Sequence, residues 1–345
     1  MRNSSIELLR IICMLMIVAG HLIGGHTDVT LADSLISQIV RCFTICAVNV
    51  FVIISGYFSI KFSIKRLFSI ELQVFFYLIS SLVLVTVIGC HSFDFKKDIL
   101  VLVPLMTKQY WFMTAYVALV FLSPWLNLFV KKLSKKEYRV LLIVLLLWFY
   151  LIPSFCFLVN AGQLVPDAGY GIVNFVSLYL FGGYINKYGL ARSYPKQYFL
   201  YGFVAVSLTL FLLQLFISKL LGFPFTSWLS YNTFFVLFSA VFLFLYFEKL
   251  IIHSPIINNV ALPCLACYLF HQSPYIQPFF RLGDCYHNLS YLCCLLIYPL
   301  LIYAFSFFIE KLRFLVFARL EKKVIAAVLN MRLLKDYQNF TDHLL

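Results

Sequence analysis

Long runs of apolar residues alternate with short polar stretches along the whole chain. Most runs are about 20 residues long, the length that an α-helix needs to cross the hydrocarbon core of a bilayer. The pattern predicts an all-α, polytopic membrane protein with about ten transmembrane helices. The runs are 5–23, 37–58, 68–88, 110–130, 139–158, 171–187, 198–218, 229–247, 256–275 and 288–310.

Two features interrupt this regular pattern. Asn258, Asn259 and Pro263 break the ninth run, which makes it the least regular of the ten. Pro124 and Pro153 lie inside the fourth and fifth runs. Because proline lacks a main-chain N–H group, we expect each of them to kink or end its helix.

The basic residues indicate which ends of the helices face the cytoplasm. If the N-terminus is inside, 20 of the 27 Lys and Arg residues fall in cytoplasmic segments and five in the outer loops, while Arg10 and Arg41 lie within helices. Short cytoplasmic loops of membrane proteins carry such an excess of positive charge. The bias predicts that both termini are cytoplasmic.

We expect residues 1–312 to form one transmembrane domain and 313–345 to form a basic amphipathic tail on the anionic inner leaflet.

Composition supports a membrane protein and argues against other classes. Hydrophobic residues make up 63% of the 345 and charged residues only 12%, with a mean hydropathy of +0.93. The net charge of +13 follows the alternating loops and is a topology signal, so we expect no nucleic-acid partner.

Most of the ten cysteines lie in or beside apolar runs and are expected to pack there. Cys264 and Cys267 lack a second pair at zinc-site spacing, so no metal site is expected.

The first apolar run contains two basic residues, Arg10 and His21, eleven positions apart. On a helix, eleven positions bring both side chains to one face, roughly 16 Å apart along the axis. Ionisable residues inside a membrane are costly and usually mark a functional site. Glu7, one turn before Arg10, is positioned to pair with it. The alternative interpretation is that Arg10 is a flanking charge reaching the cytoplasmic surface and His21 an interfacial histidine.

Further polar and aromatic residues mark the outer side of the predicted helices. Arg41 lies early in the second run, Trp111 lies at the start of the fourth, and His271 lies late in the ninth. An aromatic face such as that of Trp111 is a platform for a sugar ring. The alternatives are a flanking charge for Arg41, an aromatic belt at the membrane interface for Trp111 and a packing role for His271.

Asn49 and Gly56 are seven residues apart and share one face of the second run. Ser55 and Gly56 allow a neighbouring helix to approach closely, which favours a packing role for this face.

The polar residues therefore differ between the two predicted sides of the membrane, with Glu7 and Arg10 near the cytoplasm and His21 near the outer face. This difference suits a reaction whose two substrates arrive from opposite sides of the membrane. Arg10 would hold a phosphate-bearing donor from the cytoplasm, and His21 would deprotonate an acceptor hydroxyl near the outer face. A glycan transporter or flippase, and a non-catalytic component of polysaccharide assembly, are the competing functions. The transporter would have paired hydropathy halves, which the chain lacks.

Four motifs in order resemble the membrane acyltransferase-3 family. They are Arg10-x10-His21, VxxFVIISGY at 48–57, WFxxAYxxL with a later proline at 111–124, and YLFH at 268–271. The resemblance extends from residue 3 to about 310. It implies a ten-helix membrane enzyme that O-acetylates cell-surface polysaccharides and related glycans, typically from acetyl-CoA.

The resemblance also implies roles for particular residues. Arg10 and His21 match the family's Arg and His that acyl transfer requires. Ser55, Trp111 and His271 match recurring family positions and are expected, with Glu7, Arg41 and Asn49, to contact substrate. Some members carry a fused extracytoplasmic domain; none is expected here, as in the stand-alone branch that modifies capsule or exopolysaccharide. The expected location is the bacterial inner membrane, with acyl-CoA, a surface glycan or lipid-linked saccharide, membrane lipid and polysaccharide-assembly proteins as partners.

Overall fold

The helices of the protein follow the apolar runs of its sequence. The computed structural model describes residues 3–23, 31–96, 98, 109–159, 161, 166–189, 193–280 and 289–329. These residues contain no β-strand, which confirms the all-α prediction. The helices are α1 (Ser4–Leu22), α2 (Leu31–Thr44), α3 (Ala47–Tyr57), α4 (Ile64–Val87), α5 (Trp111–Lys132), α6 (Lys135–Leu146), α7 (Ile152–Leu158), α8 (Ile172–Tyr188), α9 (Lys196–Leu221), α10 (Phe234–Glu248), α11 (Pro255–Val260), α12 (Cys264–His271) and α13 (Leu289–Leu329).

In the described part of the chain, seven helical segments are long and apolar enough to cross a membrane. The shorter apolar helices Phe234–Glu248 and Pro255–His271 lie where the eighth and ninth runs were predicted, and α8 lies at the sixth. The chain is therefore a multi-pass membrane protein. The seven spans are Ser4–Leu22, Ser34–Tyr57, Ile64–Val87, Trp111–Lys132, Lys135–Leu158, Lys196–Leu221 and Ser290–Leu329.

The second apolar run differs from the prediction, because it contains two helices rather than one. A turn at residues 45–46 separates α2 from α3, and the Thr44 hydroxyl donates to the Val40 carbonyl oxygen at 2.8 Å. Arg41 lies in the last turn of α2, which is also early in the span Ser34–Tyr57 that α2 and α3 form together.

Two prolines were expected to disturb their helices, and only one does so. Pro124 lies within α5, which continues to Lys132. A proline at this position leaves the Val120 carbonyl without its usual N–H donor, and the Ser123 hydroxyl donates to that oxygen at 2.7 Å instead. Near Pro153 the helix does change type, because a π-helical stretch at Leu147–Leu151 precedes α7.

The final helix is longer than the apolar run that predicted it. α13 extends to Leu329, so the described part of the predicted tail, residues 313–329, continues this helix. Residues 330–345 lie outside the described residues. The proposed boundary at residue 312 and the position of the tail on the membrane stay predictions.

The chain forms two compact units. The first contains Met1–Ser59, Phe129–Ala261 and Leu282–Pro299, and the second contains Ile60–Leu128, Leu262–Arg281 and Leu300–Leu345. Two helices, α5 and α13, contribute residues to both.

In the first unit, α3 and α8 are in close contact at two glycines. A Cβ atom on Gly56 would lie 2.0 Å from the Tyr179 carbonyl oxygen, and one on Gly182 would lie 2.2 Å from the Ile53 carbonyl oxygen. No side chain fits at either position, so these glycines permit the two backbones to touch. The predicted packing role of the Ser55–Gly56 step is confirmed.

In the second unit, a partly buried group of polar residues joins α4 to α13. Glu310 accepts hydrogen bonds from the Gln73 amide at 3.1 Å and the Tyr77 hydroxyl at 3.0 Å. Arg313 donates to Glu310 at 2.8 Å and is also paired with Glu321. Because Arg313 is only 7% exposed, its charge needs these carboxylate partners.

Candidate functional site

Helix α1 carries three of the predicted site residues, and its N-terminus is fixed to a neighbouring segment. The Asn3 side chain caps the helix by accepting from the main-chain N–H groups of Ser5 and Ile6. The Ser5 hydroxyl donates to the Leu250 carbonyl oxygen at 2.6 Å and accepts from the Ile252 N–H group at 3.1 Å. Ser4 makes an equivalent pair of bonds with Ser254. These contacts hold the first turn in place.

Glu7 and Arg10 form an ion pair near this anchored end of α1. Arg10 Nη1 lies 2.9 Å from Glu7 Oε2, and the two side chains are 33% and 13% exposed. The pairing predicted from their spacing is confirmed. The carboxylate holds the guanidinium in a partly exposed position. A guanidinium in this position can bind phosphate or carbonyl oxygens of a ligand.

His21 lies in the last turn of the same helix and is exposed. Since α1 is continuous from Ser4 to Leu22, Arg10 and His21 are separated by about 16 Å along one helix axis. Helix geometry therefore places a cation near the first turn and an imidazole at the opposite end, as the sequence predicted.

Arg41 reaches the end of α1 that carries His21. Its Nη2 atom donates to the Ile23 carbonyl oxygen at 3.5 Å, two residues beyond His21. The nearest contact of Gly20 across this junction is the Thr44 hydroxyl, 3.5 Å from where a Cβ would be. A cation is favourable at the C-terminus of a helix, where the main-chain carbonyl groups point outward. The Arg41 guanidinium, held on the last turn of α2, therefore lies at the end of α1 that carries His21.

Asn49 and Ser55 make bonds inside the first unit. Asn49 is fully buried, and its amide donates to the Tyr231 carbonyl oxygen at 2.9 Å. The Ser55 hydroxyl donates to the Phe51 carbonyl oxygen within α3 at 3.0 Å. These contacts fit a structural role for both side chains, and their predicted contact with substrate stays a prediction.

Trp111 and His271 belong to the second unit. Trp111 begins α5 and is half-buried, with its ring 6.0 Å from that of Phe112. His271 is 2% exposed, and its Nδ1 lies 2.6 Å from the Cys267 carbonyl oxygen. Because a carbonyl oxygen only accepts, Nδ1 carries the proton of this bond. Next to Trp111, the Tyr110 hydroxyl donates to the Leu269 carbonyl oxygen at 2.8 Å and fixes the start of α5 against α12.

A second polar cluster in this unit was missed by the sequence analysis. Asp98 is 2% exposed and accepts from His91 at 3.1 Å, from the Asp94 N–H group at 2.8 Å and from the Tyr275 hydroxyl at 2.9 Å. Burial alone would raise the pKa of Asp98, but these hydrogen bonds outweigh it and lower that pKa. No sequence spacing links His91 to Tyr275, so only the fold reveals the cluster.

The described residues contain no group of three or more His, Cys, Asp or Glu side chains arranged to hold a metal ion.

The comparison with known families agrees with this arrangement. The sequence profile of the family Acyl_transf_3, described as "Acyltransferase domain", matches residues 3–310. The match covers most of the chain, from the first turn of α1 through much of α13. The chain therefore belongs to the acyltransferase-3 family and is a multi-pass membrane acyltransferase. No curated protein and no solved structure matches it.

Proposed function

We propose that this acyltransferase moves an acetyl group from cytoplasmic acetyl-CoA to a hydroxyl group of a cell-surface polysaccharide or its lipid-linked precursor. The observation that carries the proposal is the arrangement of α1 in a chain of this family. One helix holds an ion-paired arginine near its first turn and an exposed histidine in its last turn.

Arg10 is the proposed donor-binding residue. Acetyl-CoA is a polyanion with several phosphate oxygens, and a guanidinium binds such oxygens through two parallel hydrogen bonds. Glu7 holds the Arg10 side chain in place through the ion pair at 2.9 Å. With the phosphates near Arg10, the thioester end of the donor would extend along α1 toward His21.

His21 is the proposed general base. It accepts the proton of the acceptor hydroxyl, and the hydroxyl oxygen forms a bond to the acetyl carbon. The carbon–sulfur bond then breaks, and CoA leaves as a thiolate that takes up the proton. A less favoured role for His21 is transient carriage of the acetyl group itself.

Arg41 is the proposed electrostatic stabiliser of this step. Its guanidinium lies at the His21 end of α1, where it donates to the Ile23 carbonyl oxygen. A fixed positive charge there would stabilise the negative charge that develops on the acetyl oxygen. Trp111, half-buried at the start of α5, is a proposed contact for the sugar through its aromatic face. His271 is buried, and its predicted contact with substrate stays a prediction.

The proposed location is the inner membrane of a bacterium, where a cytoplasmic donor and an outward-facing glycan meet a multi-pass enzyme. Proteins of polysaccharide assembly are proposed partners, because the acceptor must be delivered to the membrane. Membrane lipid surrounds the helices.

The direct test uses purified full-length protein in detergent with acetyl-CoA and glycan extracted from a deletion strain. We expect release of CoA that depends on the glycan, together with acetyl esters on the glycan detected by mass spectrometry. Transport of the glycan in proteoliposomes without CoA release would contradict the proposal and favour a flippase. A surface glycan unchanged in a deletion strain would also contradict it.

A further inference from the structure

A groove with mixed chemistry lies on the first unit, between α6 and α8. It has a volume of about 480 Å³ and is bounded on one further side by Val241 of α10. Cavities of this size are large enough for a small ligand or for part of a larger one. The residues that line the groove play no part in the proposed acyl transfer.

The groove is basic at one end and apolar along its length. Lys135 and Arg139 lie at the basic end, and none of the described residues that line the groove is acidic. Six apolar side chains form much of the wall: Leu142, Ile143, Leu146, Phe181, Ile185 and Val241. A ligand that fits this surface has an anionic head and a hydrocarbon part.

Two tyrosines hold the basic side chains. The Arg139 Nε atom donates to the Tyr184 hydroxyl at 3.3 Å, and the Lys135 ammonium lies 5.8 Å from the centre of the Tyr188 ring. The Arg139 bond to Tyr184 engages Nε and not the two terminal nitrogens. Tyr184 is itself buried at 4% exposure, which makes it a rigid support.

Two charged residues near the groove, Glu137 and Lys187, make contacts elsewhere. Glu137 caps α6, where its carboxylate accepts from the Ser134 N–H group at 2.8 Å. The Lys187 ammonium donates to main-chain carbonyl oxygens at the end of α5, among them that of Leu133 at 2.8 Å. Neither Glu137 nor Lys187 lines the groove.

Position relative to the membrane identifies the kind of ligand. Lys135 and Arg139 belong to the basic segment that the charge bias assigns to the cytoplasm. On α6, Val140 and Ile143 are 54% and 53% exposed, as expected of side chains that face lipid. A basic pocket between helices at the cytoplasmic surface is a favourable site for an anionic lipid headgroup.

We propose that this groove binds one anionic phospholipid of the inner leaflet. Its phosphate lies against Lys135 and Arg139, and the first part of an acyl chain lies along Leu142, Ile143 and Leu146. This site is independent of the proposed catalytic residues on α1.

The test compares lipid binding by full-length variants in detergent. Native mass spectrometry measures the occupancy of dioleoylphosphatidylglycerol against that of dioleoylphosphatidylcholine. The groove variant is Lys135→Ala/Arg139→Ala, and the matched control is Lys132→Ala/Lys136→Ala, which removes the same charge from the same segment without altering the groove. Wild type and control should prefer phosphatidylglycerol, and the groove variant should bind it roughly 30-fold more weakly, since each basic residue contributes about one kcal/mol near a membrane.

A second variant keeps the charges and fills the apolar part of the groove. Leu146→Trp should reduce phosphatidylglycerol binding while the basic pair remains. Equal losses in the groove variant and the charge-matched control would show diffuse attraction and overturn the proposal. Equal binding of both lipids by wild type, or displacement of the lipid by CoA at the same residues, would overturn it as well.

Discussion

At the scale of single residues, the arrangement of Arg10 gives a sharp prediction about the donor. A lysine keeps the positive charge but lacks the planar, two-pronged donor geometry of a guanidinium. We expect Arg10→Ala to abolish acetylation and Arg10→Lys to restore it only in part, with a raised KM for acetyl-CoA. The measurement is CoA release at a series of acetyl-CoA concentrations. Full activity of Arg10→Lys at equal membrane abundance would make Arg10 a flanking charge.

Single residues also show which contacts the spacing of residues in the sequence can predict. The Glu7–Arg10 pair was predictable, because residues three positions apart are neighbours on any helix. Contacts between distant parts of the chain were not. The bond between Tyr275 and Asp98 joins residues 177 positions apart, and neither residue lies in a recognisable motif.

The Asp98 cluster predicts how stability depends on pH. Because the folded state lowers the pKa of Asp98, its carboxylate stabilises the fold above the ordinary carboxyl pKa of about 4. That contribution is lost as the pH falls through the lowered folded-state value. We expect the thermal unfolding temperature of the wild type in detergent to fall between neutral pH and about pH 3, and Asp98→Asn to be less stable at neutral pH with a weaker acid dependence.

Tyr275→Phe provides a second readout of the same cluster. This variant removes one of the donors to Asp98, so its loss of stability should be smaller than that of Asp98→Asn. An acid profile of Asp98→Asn identical to that of the wild type would contradict this account of the cluster.

At the scale of helices, the contact between α3 and α8 predicts a severe effect of adding one methyl group. The Cβ of Gly56→Ala would lie 2.0 Å from the Tyr179 carbonyl oxygen, so a backbone must move. Overpacking usually costs about 1–3 kcal/mol, and we expect at least this loss. The control is Gly20→Ala, whose Cβ would meet its nearest neighbour at 3.5 Å. Membrane abundance and thermal unfolding measure both, and equal stability of the two variants would contradict the packing account.

Helix positions were predictable from apolar length, whereas helix ends were not. The break between α2 and α3 falls inside a continuous apolar run, so hydropathy gives no sign of it. Likewise, Ser123 compensates for Pro124 within α5, which a rule about proline alone does not anticipate.

At the scale of the whole molecule, the membrane class follows from composition, because so apolar a chain cannot expose its surface to water. The division into two compact units did not follow from it. Both units combine segments that are far apart in sequence, and such groupings depend on tertiary contacts. The eight predicted site residues are divided between the two units. Trp111 and His271 belong to the second unit, and the other six belong to the first.

The orientation in the membrane is testable for the whole chain. The alternating basic loops predict that a reporter fused after Lys136 lies in the cytoplasm and one fused at Asp167 lies outside. Alkaline phosphatase, active only outside, and a fluorescent protein that folds only inside would distinguish the two sides. The reverse pattern would place His21 on the cytoplasmic side and contradict the proposed mechanism.

The central claim is that His21 accepts a proton during acyl transfer, and one measurement tests it most directly. Glycan acetylation by purified His21→Gln is compared with that of the wild type and of His253→Gln, which alters another exposed histidine of the same unit. Glutamine forms hydrogen bonds but cannot take up a proton at neutral pH. The account predicts a loss of about 10² to 10⁴-fold for His21→Gln, at unchanged abundance and acetyl-CoA binding, and wild-type activity for His253→Gln. Wild-type acetylation by His21→Gln would show that His21 is structural and that the mechanism proposed for α1 is wrong.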